Sequence, residues 1–494
     1  MDLVIVHYHL QTGGVTRVIQ QAVRALSSLG HRVLVLSGEP PQQPIDGAAA
    51  VAVLPGLRYE ERRPRQTPDG LAASMLAAAR EHLGTLPDLW HVHNHCLGKN
   101  LALPGALVRL TRHEQRLLLQ PHDFAEDGRP ALYQRLRGRL ADGDVGRLSA
   151  LLYPLAPQIH YAALNARDRR FLAAAGIGDD NLHLLPNAVS VPGPEKEATS
   201  ARPAPNGCTD ISRGERLWLY PTRAIRRKNL GEFLLWAAAA EPGDRFAATQ
   251  APQNPQEQPR YRRWARLAAE LALPVELGLG ERVADFGRLL ACSHALVTTS
   301  VGEGFGLAFL EPWLGARPLA GRDLPEITAD FRANGIDLSG LYRTLRVPLE
   351  WIDAARLRGA FVDALSAQTT AYGRGLPPDA LDRAWAAATD ADSIDMGRLD
   401  EPAQEAVIRH VHADPAARRV LQPAALAPAD DPGLIRTNAH AVSDQYGLAV
   451  YGRRLSQIYA AITGAGLSAR LEAADGDRLL DEFLAPERLT LLRT

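Results

Sequence analysis

The chain has 494 residues and carries 55 Lys plus Arg against 56 Asp plus Glu, a formal net charge of −1. At a soft prior of about 150 residues per domain, this length supplies two full-sized cores and excludes a small disulfide-stapled scaffold. A hydrophobic share of 46% with 22% charged residues excludes collagenous, coiled-coil and wholly disordered chains, and the balanced charge excludes a nucleic-acid binder that works by bulk basicity.

Residues 3–8 form an apolar, β-branched run that stops at Gly13-Gly14, after which Val15, Val18, Ile19, Ala22, Val23 and Leu26 recur at helical spacing. Gly30 ends that helix and residues 31–36 supply a second strand, completing a βαβ unit. The alternation continues with a helix over 70–83, a strand over 89–92, a helix over 101–110 and a strand over 117–120. Strands over 159–164 and 182–185 close this half at Pro186-Asn187-Ala188-Val189. Such alternation predicts a parallel sheet covered by helices on both faces. Residues 191–215 are rich in Pro, Gly, Ser and charge and lack a hydrophobic period, so they read as a linker. A second α/β domain then begins, with strands over 217–220, 246–249, 275–277 and 295–299 and helices over 230–240 and 307–314. Residues 347–419 are rich in Ala, Leu and Arg and read as helices added to the second domain.

The expected organisation is a Rossmann-like domain over 1–192, a linker over 193–214, and a second Rossmann-like domain over 215–440 that contains a helical insertion at about 347–430. Helices over 441–494 are expected to cross back to the first domain. Two doubly wound domains of this kind face a cleft with the C-terminal ends of their strands, where ligands bind. The three cysteines, Cys96, Cys208 and Cys292, are far apart and form no metal-type pair, which fits a reducing compartment. An acid at position 2 and a short apolar run argue against a signal peptide, and no apolar stretch is long enough to span a membrane. A cytoplasmic protein is expected, with peripheral membrane contact and homo-oligomers left open.

Chemistry concentrates at strand ends. Lysine occurs only at Lys99, Lys196 and Lys228. Lys228 sits in the segment 220–230, where Arg223, Arg226, Arg227 and Lys228 put four cations in six positions between a strand and a helix; a solvated loop is the competing reading, and an anion site the favoured one. In 298–312, a strand runs through Ser300-Val301-Gly302-Glu303-Gly304-Phe305-Gly306 into the helix carrying Leu307 and Glu311, an arrangement suited to a diphosphate at the helix start and to sugar or ribose hydroxyls at the two carboxylates. His122 follows the strand over 117–120. The alternate histidines His91, His93 and His95 do not have metal-ligand spacing, and no metal is expected. Arg58, Arg62, Arg63 and Arg65 could dock an anionic acceptor, with a solvated loop favoured, and the acids Asp123, Glu126 and Asp127 beside His122 argue against a strongly anionic acceptor there.

Together these segments resemble the retaining nucleotide-sugar glycosyltransferases of the GT-B fold, in particular glycosyltransferase family 4. Gly13-Gly14 resembles that family's amino-terminal glycine loop, Pro186-Asn187-Ala188-Val189 its "PNGV" segment, and Arg223 with Lys228-Asn229 its "GR…KN" pair. Ser300 to Glu311 resembles its "S..EGFGL..LE" signature, with two glutamates eight positions apart. The resemblance implies that Arg223 and Lys228 neutralise the donor diphosphate, that Glu303 binds hydroxyls of the transferred sugar, and that Glu311 binds the ribose. It further implies that His122 contacts the donor sugar near the reacting carbon, and that Gly13, Gly14, Gly304, Phe305, Gly306 and Leu307 line the donor. The implied activity is metal-independent transfer of a hexose from a UDP-sugar or GDP-sugar to a hydroxyl acceptor, with retention, the acceptor being a small soluble sugar. No separate cofactor is implied. A GT-B-like phosphorylase, a nucleotide-sugar epimerase and a non-catalytic nucleotide-sugar-binding protein remain the alternatives.

Overall fold

The computed structural model describes residues 1–59, 66–190, 214–283, 286–421, 426, 428 and 431–493. The expected linker, apart from Gly214, lies outside these residues, as do Arg62, Arg63, Arg65, Lys196 and Cys208. The chain divides into two compact units. Unit 1 comprises residues 1–188, 370–374 and 446–485, and unit 2 comprises residues 189–369, 375–445 and 486–494.

Unit 1 contains the strands β1 (Asp2–His7), β2 (Arg32–Ser37), β3 (Ala50–Val53), β4 (Leu89–His93), β5 (Leu117–Gln120), β6 (Pro154–Leu155), β7 (Ile159–Ala163) and β8 (Leu182–Leu184). Seven of them form one parallel sheet in the order β3-β2-β1-β4-β5-β7-β8. Every residue of β4, β5 and β7 is buried, as expected of strands covered by helices on both faces. One of these covers is the helix Gly14–Ser28, whose apolar stripe packs into a core shared with Tyr451, Leu455, Ile458, Tyr459 and Ile462 of the helix Leu448–Gly464.

Unit 2 holds a second parallel sheet of β9 (Arg216–Arg223), β10 (Asp244–Gln250), β11 (Val275–Leu277), β12 (Ala295–Thr298) and β13 (Leu319–Gly321), ordered β11-β10-β9-β12-β13. The chain reverses direction across the sheet between β1 and β4 in unit 1 and between β9 and β12 in unit 2. Ligands of doubly wound sheets bind beside the C-terminal ends of the strands flanking such a reversal.

Two expectations are corrected. The helix expected over 307–314 is broken into a 3-10 turn, Leu307–Phe309, and a single α-turn, Glu311–Leu314, because Pro312 lacks the N–H that a continuous helix would use. The insertion at 347–430 is not purely helical: Arg346–Pro348, Thr389–Asp390 and Ser393–Asp395 form a small antiparallel sheet, its strands too short to show a period of two. Its helices Ala354–Ala371, Ala380–Ala388 and Glu401–Ala413 contribute to the core of unit 2. Cys96 is a buried free thiol. No helix among the described residues is long and apolar enough to cross a membrane.

Candidate functional site

The C-terminal ends of β9 and β12, the two strands at the reversal in unit 2, carry the basic loop and the glycine-glutamate turn respectively. Strand β9 ends at Arg223, whose side chain is exposed and has no ion-pair partner among the described residues. A 3-10 turn, Arg226–Lys228, follows, and Asn229 then takes a left-handed conformation and caps the helix Leu230–Ala238.

Hydroxyls stitch this loop to the neighbouring turn. Tyr220 OH and Thr299 Oγ1 donate to Lys228 O at 3.0 and 3.1 Å, and Thr299 Oγ1 also lies 3.0 Å from Asn229 O. Ser300 Oγ donates to Arg227 O at 3.3 Å, and the Val301 amide donates to the same carbonyl at 2.9 Å. The backbone of the cations is thus held by the segment that leads into Glu303.

Glu303 is the centre of the cluster. Lys228 Nζ and Arg227 Nη1 both donate to its carboxylate, the latter at 3.0 Å, and Arg227 also reaches Gly302 O. The Glu303 side chain is only 9% exposed. Burial alone would raise its carboxyl, but the charges of Lys228 and Arg227 hold it at about 2. Burial pushes the Lys228 ammonium below its ordinary value, with Glu303 opposing. Glu303 is therefore charged at neutral pH, and the cluster gathers Lys228 and Arg227 on one carboxylate.

Arg226 leaves this group: it makes a bidentate pair with Glu401 of the insertion, at 2.6 and 2.9 Å, a residue shared with Arg260. Gln404 of the same helix donates to Asn229 Oδ1 at 2.8 Å. The four cations of the basic loop therefore divide into two on Glu303, one on the insertion and one, Arg223, exposed. Glu401 and Gln404 lie more than 170 positions away, and nothing in the local sequence pattern points to them.

Gly304, Leu307 and Glu311 are half-buried, and Phe305 and Gly306 are buried. Gly306 has φ +95°, and a Cβ there would lie 2.8 Å from Ile327 Cγ2, so the turn that aims Glu303 requires glycine on both counts. The ring of Phe305 meets Phe331 edge-on.

The remaining residues selected from sequence lie in unit 1. A Cβ at Gly14 would meet open space and one at Gly13 only Gln11 O at 3.8 Å, so neither glycine is demanded by the chain's own packing. His122 follows β5; its amide and that of Asp123 both donate to Asn94 Oδ1, at 2.7 and 3.1 Å. Its Nε2 shares a hydrogen bond of 2.8 Å with Nδ1 of His93. His91 turns to Tyr459 OH and Gln120, and His95 to Leu152 O. Burial lowers His7 and His122 to about 3 and His91 and His95 to about 4, so these imidazoles are neutral at physiological pH.

Comparison with known proteins agrees with this architecture. Residues 12–191 match the model of Glycosyltransferase Family 4. Over this segment the chain is similar to glycosyltransferase family 4, and its fold is GT-B. It is 26% identical over 352 residues, 67% of its length, to mannosylglucosyl-3-phosphoglycerate synthase of Petrotoga mobilis, and the match spans 66% of that relative. Among solved structures, sucrose-phosphate synthase from Thermosynechococcus elongatus superposes with a TM-score of 0.52 at 17% identity, over 93% of this chain and 98% of that one. HepE of Anabaena, in complex with UDP-glucose, gives 0.53 at 11% identity over 93% and 99%. The catalytic domain of starch synthase IV from Arabidopsis thaliana, bound to ADP and acarbose, gives 0.54 at 12% identity over 94% and 99%.

Proposed function

We propose that the protein transfers a hexose from a nucleoside-diphosphate sugar to a hydroxyl group of a small acceptor, with retention of anomeric configuration and without a metal ion. The observation that carries this reading is the gathering of Arg227 and Lys228 on Glu303, next to exposed Arg223, at the strand ends beside the sheet reversal of unit 2. A diphosphate needs cations, a sugar needs hydroxyl acceptors, and this turn offers both within one cluster. HepE, which shares the fold and was crystallised with UDP-glucose, is in line with a nucleotide-sugar donor, which in this reading is UDP- or GDP-linked.

Breaking the sugar–phosphate bond leaves negative charge on the departing diphosphate, and preorganised cations stabilise charge as it develops. In this reading Lys228 and Arg223 receive the diphosphate, while Glu303, released from part of its ion pairing, accepts hydrogen bonds from sugar hydroxyls. Glu311 accepts from the ribose, and the backbone of Gly304 to Leu307 borders the donor. Gly13 and Gly14 leave room for close backbone approach. His122, held neutral, serves as a hydrogen-bonding group near the reacting carbon rather than as an acid. The acceptor hydroxyl attacks from the face that the diphosphate leaves and gives its proton to the departing phosphate oxygen as the sugar–phosphate bond breaks, which retains configuration and uses no protein nucleophile.

The test is a thermal-shift panel of UDP, GDP, ADP and their sugar conjugates in EDTA, on the wild type and on Lys228→Ala. A ligand at a hundred times its Kd adds about 2.7 kcal/mol of stability. One nucleotide family should shift the wild type in EDTA and not the variant. No shift with any nucleotide would refute the proposal, and the anomeric proton coupling of the product would test retention.

A further inference from the structure

A second group of cations lies in unit 1. The loop after β4 carries Lys99, one of three lysines in the chain. Asn100, beside it, donates through Nδ2 to Gly56 O and Arg58 O at 2.7 and 2.9 Å, tying this loop to the segment that bears Tyr59. On the other side, Gly98 packs against the helix Pro130–Leu140: a Cβ at this residue would lie 2.9 Å from Leu136 Cγ and 3.2 Å from Leu132 O. Lys99 is thereby held between Tyr59 and the helix carrying Arg135, with Arg129 at the helix start.

The Lys99 ammonium sits over the Tyr59 ring, 5.2 Å from its centroid, and among the described residues no carboxylate pairs with it. Burial lowers its pKa, and the like charges of Arg129 and Arg135 lower it further. Arg135 Nη2 is buried without a hydrogen-bond partner. Cations that crowd one another while a buried guanidinium nitrogen is left unsatisfied are a costly arrangement, unless an anion completes it.

Among the described residues, the nearby acids pair with neither Lys99 nor Arg135. Asp123 is taken by Arg129 at 2.5 Å. Glu126 is buried, receives a hydrogen bond from Tyr153 OH at 3.0 Å, and burial raises it to about 7. Of the three acids beside His122, Asp123 is thus paired and Glu126 is turned inward with its carboxyl raised, which leaves Asp127 to oppose an anionic acceptor there. Tyr59 OH lies 3.2 Å from His9 Nε2, which places the cluster next to the segment leading from β1 to Gly13.

We infer that Lys99 and Arg135, flanked by Arg129 and backed by the Tyr59 ring, form an anion subsite that binds a phosphate monoester carried by a soluble acceptor sugar. A phosphate monoester, with a charge of about −1.5 to −2 and three acceptor oxygens, satisfies more of these donors than a carboxylate does. The inference rests on the proposed transferase activity and narrows its acceptor to a phosphorylated one.

Binding of inorganic phosphate, glucose 6-phosphate and glucose is measured by calorimetry on the wild type, Lys99→Met, Lys99→Arg, Arg135→Gln and Lys228→Ala, with the UDP and GDP thermal shifts recorded in parallel. The expected result is glucose 6-phosphate at least tenfold tighter than glucose in the wild type. That preference is lost in Lys99→Met and Arg135→Gln, largely kept in Lys99→Arg, and unchanged in Lys228→Ala. The nucleotide shift shows the reverse pattern, surviving at Lys99 and Arg135 and failing at Lys228. Phosphate binding that survives Lys99→Met and Arg135→Gln, or that fails only in Lys228→Ala, would overturn the subsite and leave the donor reading intact. Absence of the nucleotide shift with phosphate preference intact would instead remove the transferase reading. Retention on phosphatidylglycerol vesicles that glucose 6-phosphate does not displace would assign the subsite to a lipid headgroup and overturn the soluble acceptor.

Discussion

Replacing Glu303 by Gln separates the two tasks assigned to the cluster in unit 2. The carboxyl stands at about 2 against an ordinary 4.5, so the folded protein prefers its charged form by about 3 kcal/mol. Because the folded value is depressed, that stabilisation is present above pH 4.5 and disappears as the pH falls towards 2. Glu303→Gln should therefore lose about 3 kcal/mol of stability at pH 7, with the difference from wild type shrinking below pH 4.5. The variant removes the carboxylate charge facing Arg227 and Lys228 in a site where Lys228 is only 15% exposed. A diphosphate that recovers half of the lost interaction would bind about tenfold tighter, since about 1.4 kcal/mol is a factor of ten. Sugar transfer should fall sharply, because a neutral amide accepts hydroxyl hydrogen bonds more weakly than a carboxylate. Denaturant unfolding at pH 7 and at pH 3, calorimetry with UDP and GDP, and a transfer assay supply the three readouts. Wild-type stability together with unchanged nucleotide affinity would refute the argument that Glu303 holds these cations.

Three other perturbations probe the scaffold. Arg322 bridges buried Glu232 and Asp395, with contacts of 2.6 and 2.8 Å; Arg322→Met leaves two uncompensated carboxylates and should destabilise unit 2 by about 3 to 5 kcal/mol in urea unfolding. Gly306→Ala forces a Cβ into the left-handed region and against Ile327, so a loss of about 1 to 3 kcal/mol is expected, with a weakened nucleotide shift. Neutral buried His7, His91, His95 and His122 titrate at about 3 to 4 in the folded chain against about 6.5 when unfolded. The unfolded state then binds more protons between these values, and unit 1 should lose stability as the pH falls below 6.5; a flat profile between pH 7 and 5 would contradict their neutrality.

The parallel sheets were legible because strands such as β1 and β2 hold unbroken apolar runs, LVIV and VLVL, and because the helix Gly14–Ser28 keeps a clean 3.6-residue stripe. Shorter features carried no such signal. The three strands of the insertion have two or three residues each, too few for alternation to register, and Pro312 interrupts a helix whose apolar spacing reads as unbroken. At the site, Arg223, Lys228, Glu303 and Glu311 stand out because they cluster locally beside strand ends. The partition of the cations does not, since Glu401 reaches Arg226 across 175 positions. Lys99 illustrates a missed signal: its rarity in an arginine-rich chain is the same argument that singles out Lys228, but its partners Tyr59, Arg129 and Arg135 come from separate segments.

The division of the chain into units bears on the order in which they can be completed during synthesis. Unit 1 takes residues 446–485 in addition to residues 1–188, and unit 2 takes residues 486–494 after that. The helix Leu448–Gly464 lays Tyr451, Leu455 and Ile462 into the core beneath the first strands, beside the helix Gly14–Ser28, so an emerging chain of some 190 residues has a seven-stranded sheet with part of one apolar face uncovered. Domains fold as units while the chain emerges at about 5 to 20 residues per second, which leaves that face waiting on the order of 15 to 50 seconds for its cover. Ribosome-bound chains halted before residue 448 should accordingly be protease-sensitive and chaperone-bound in a segment whose sequence is already complete, and a split gene cut near residue 190 should yield an insoluble first half.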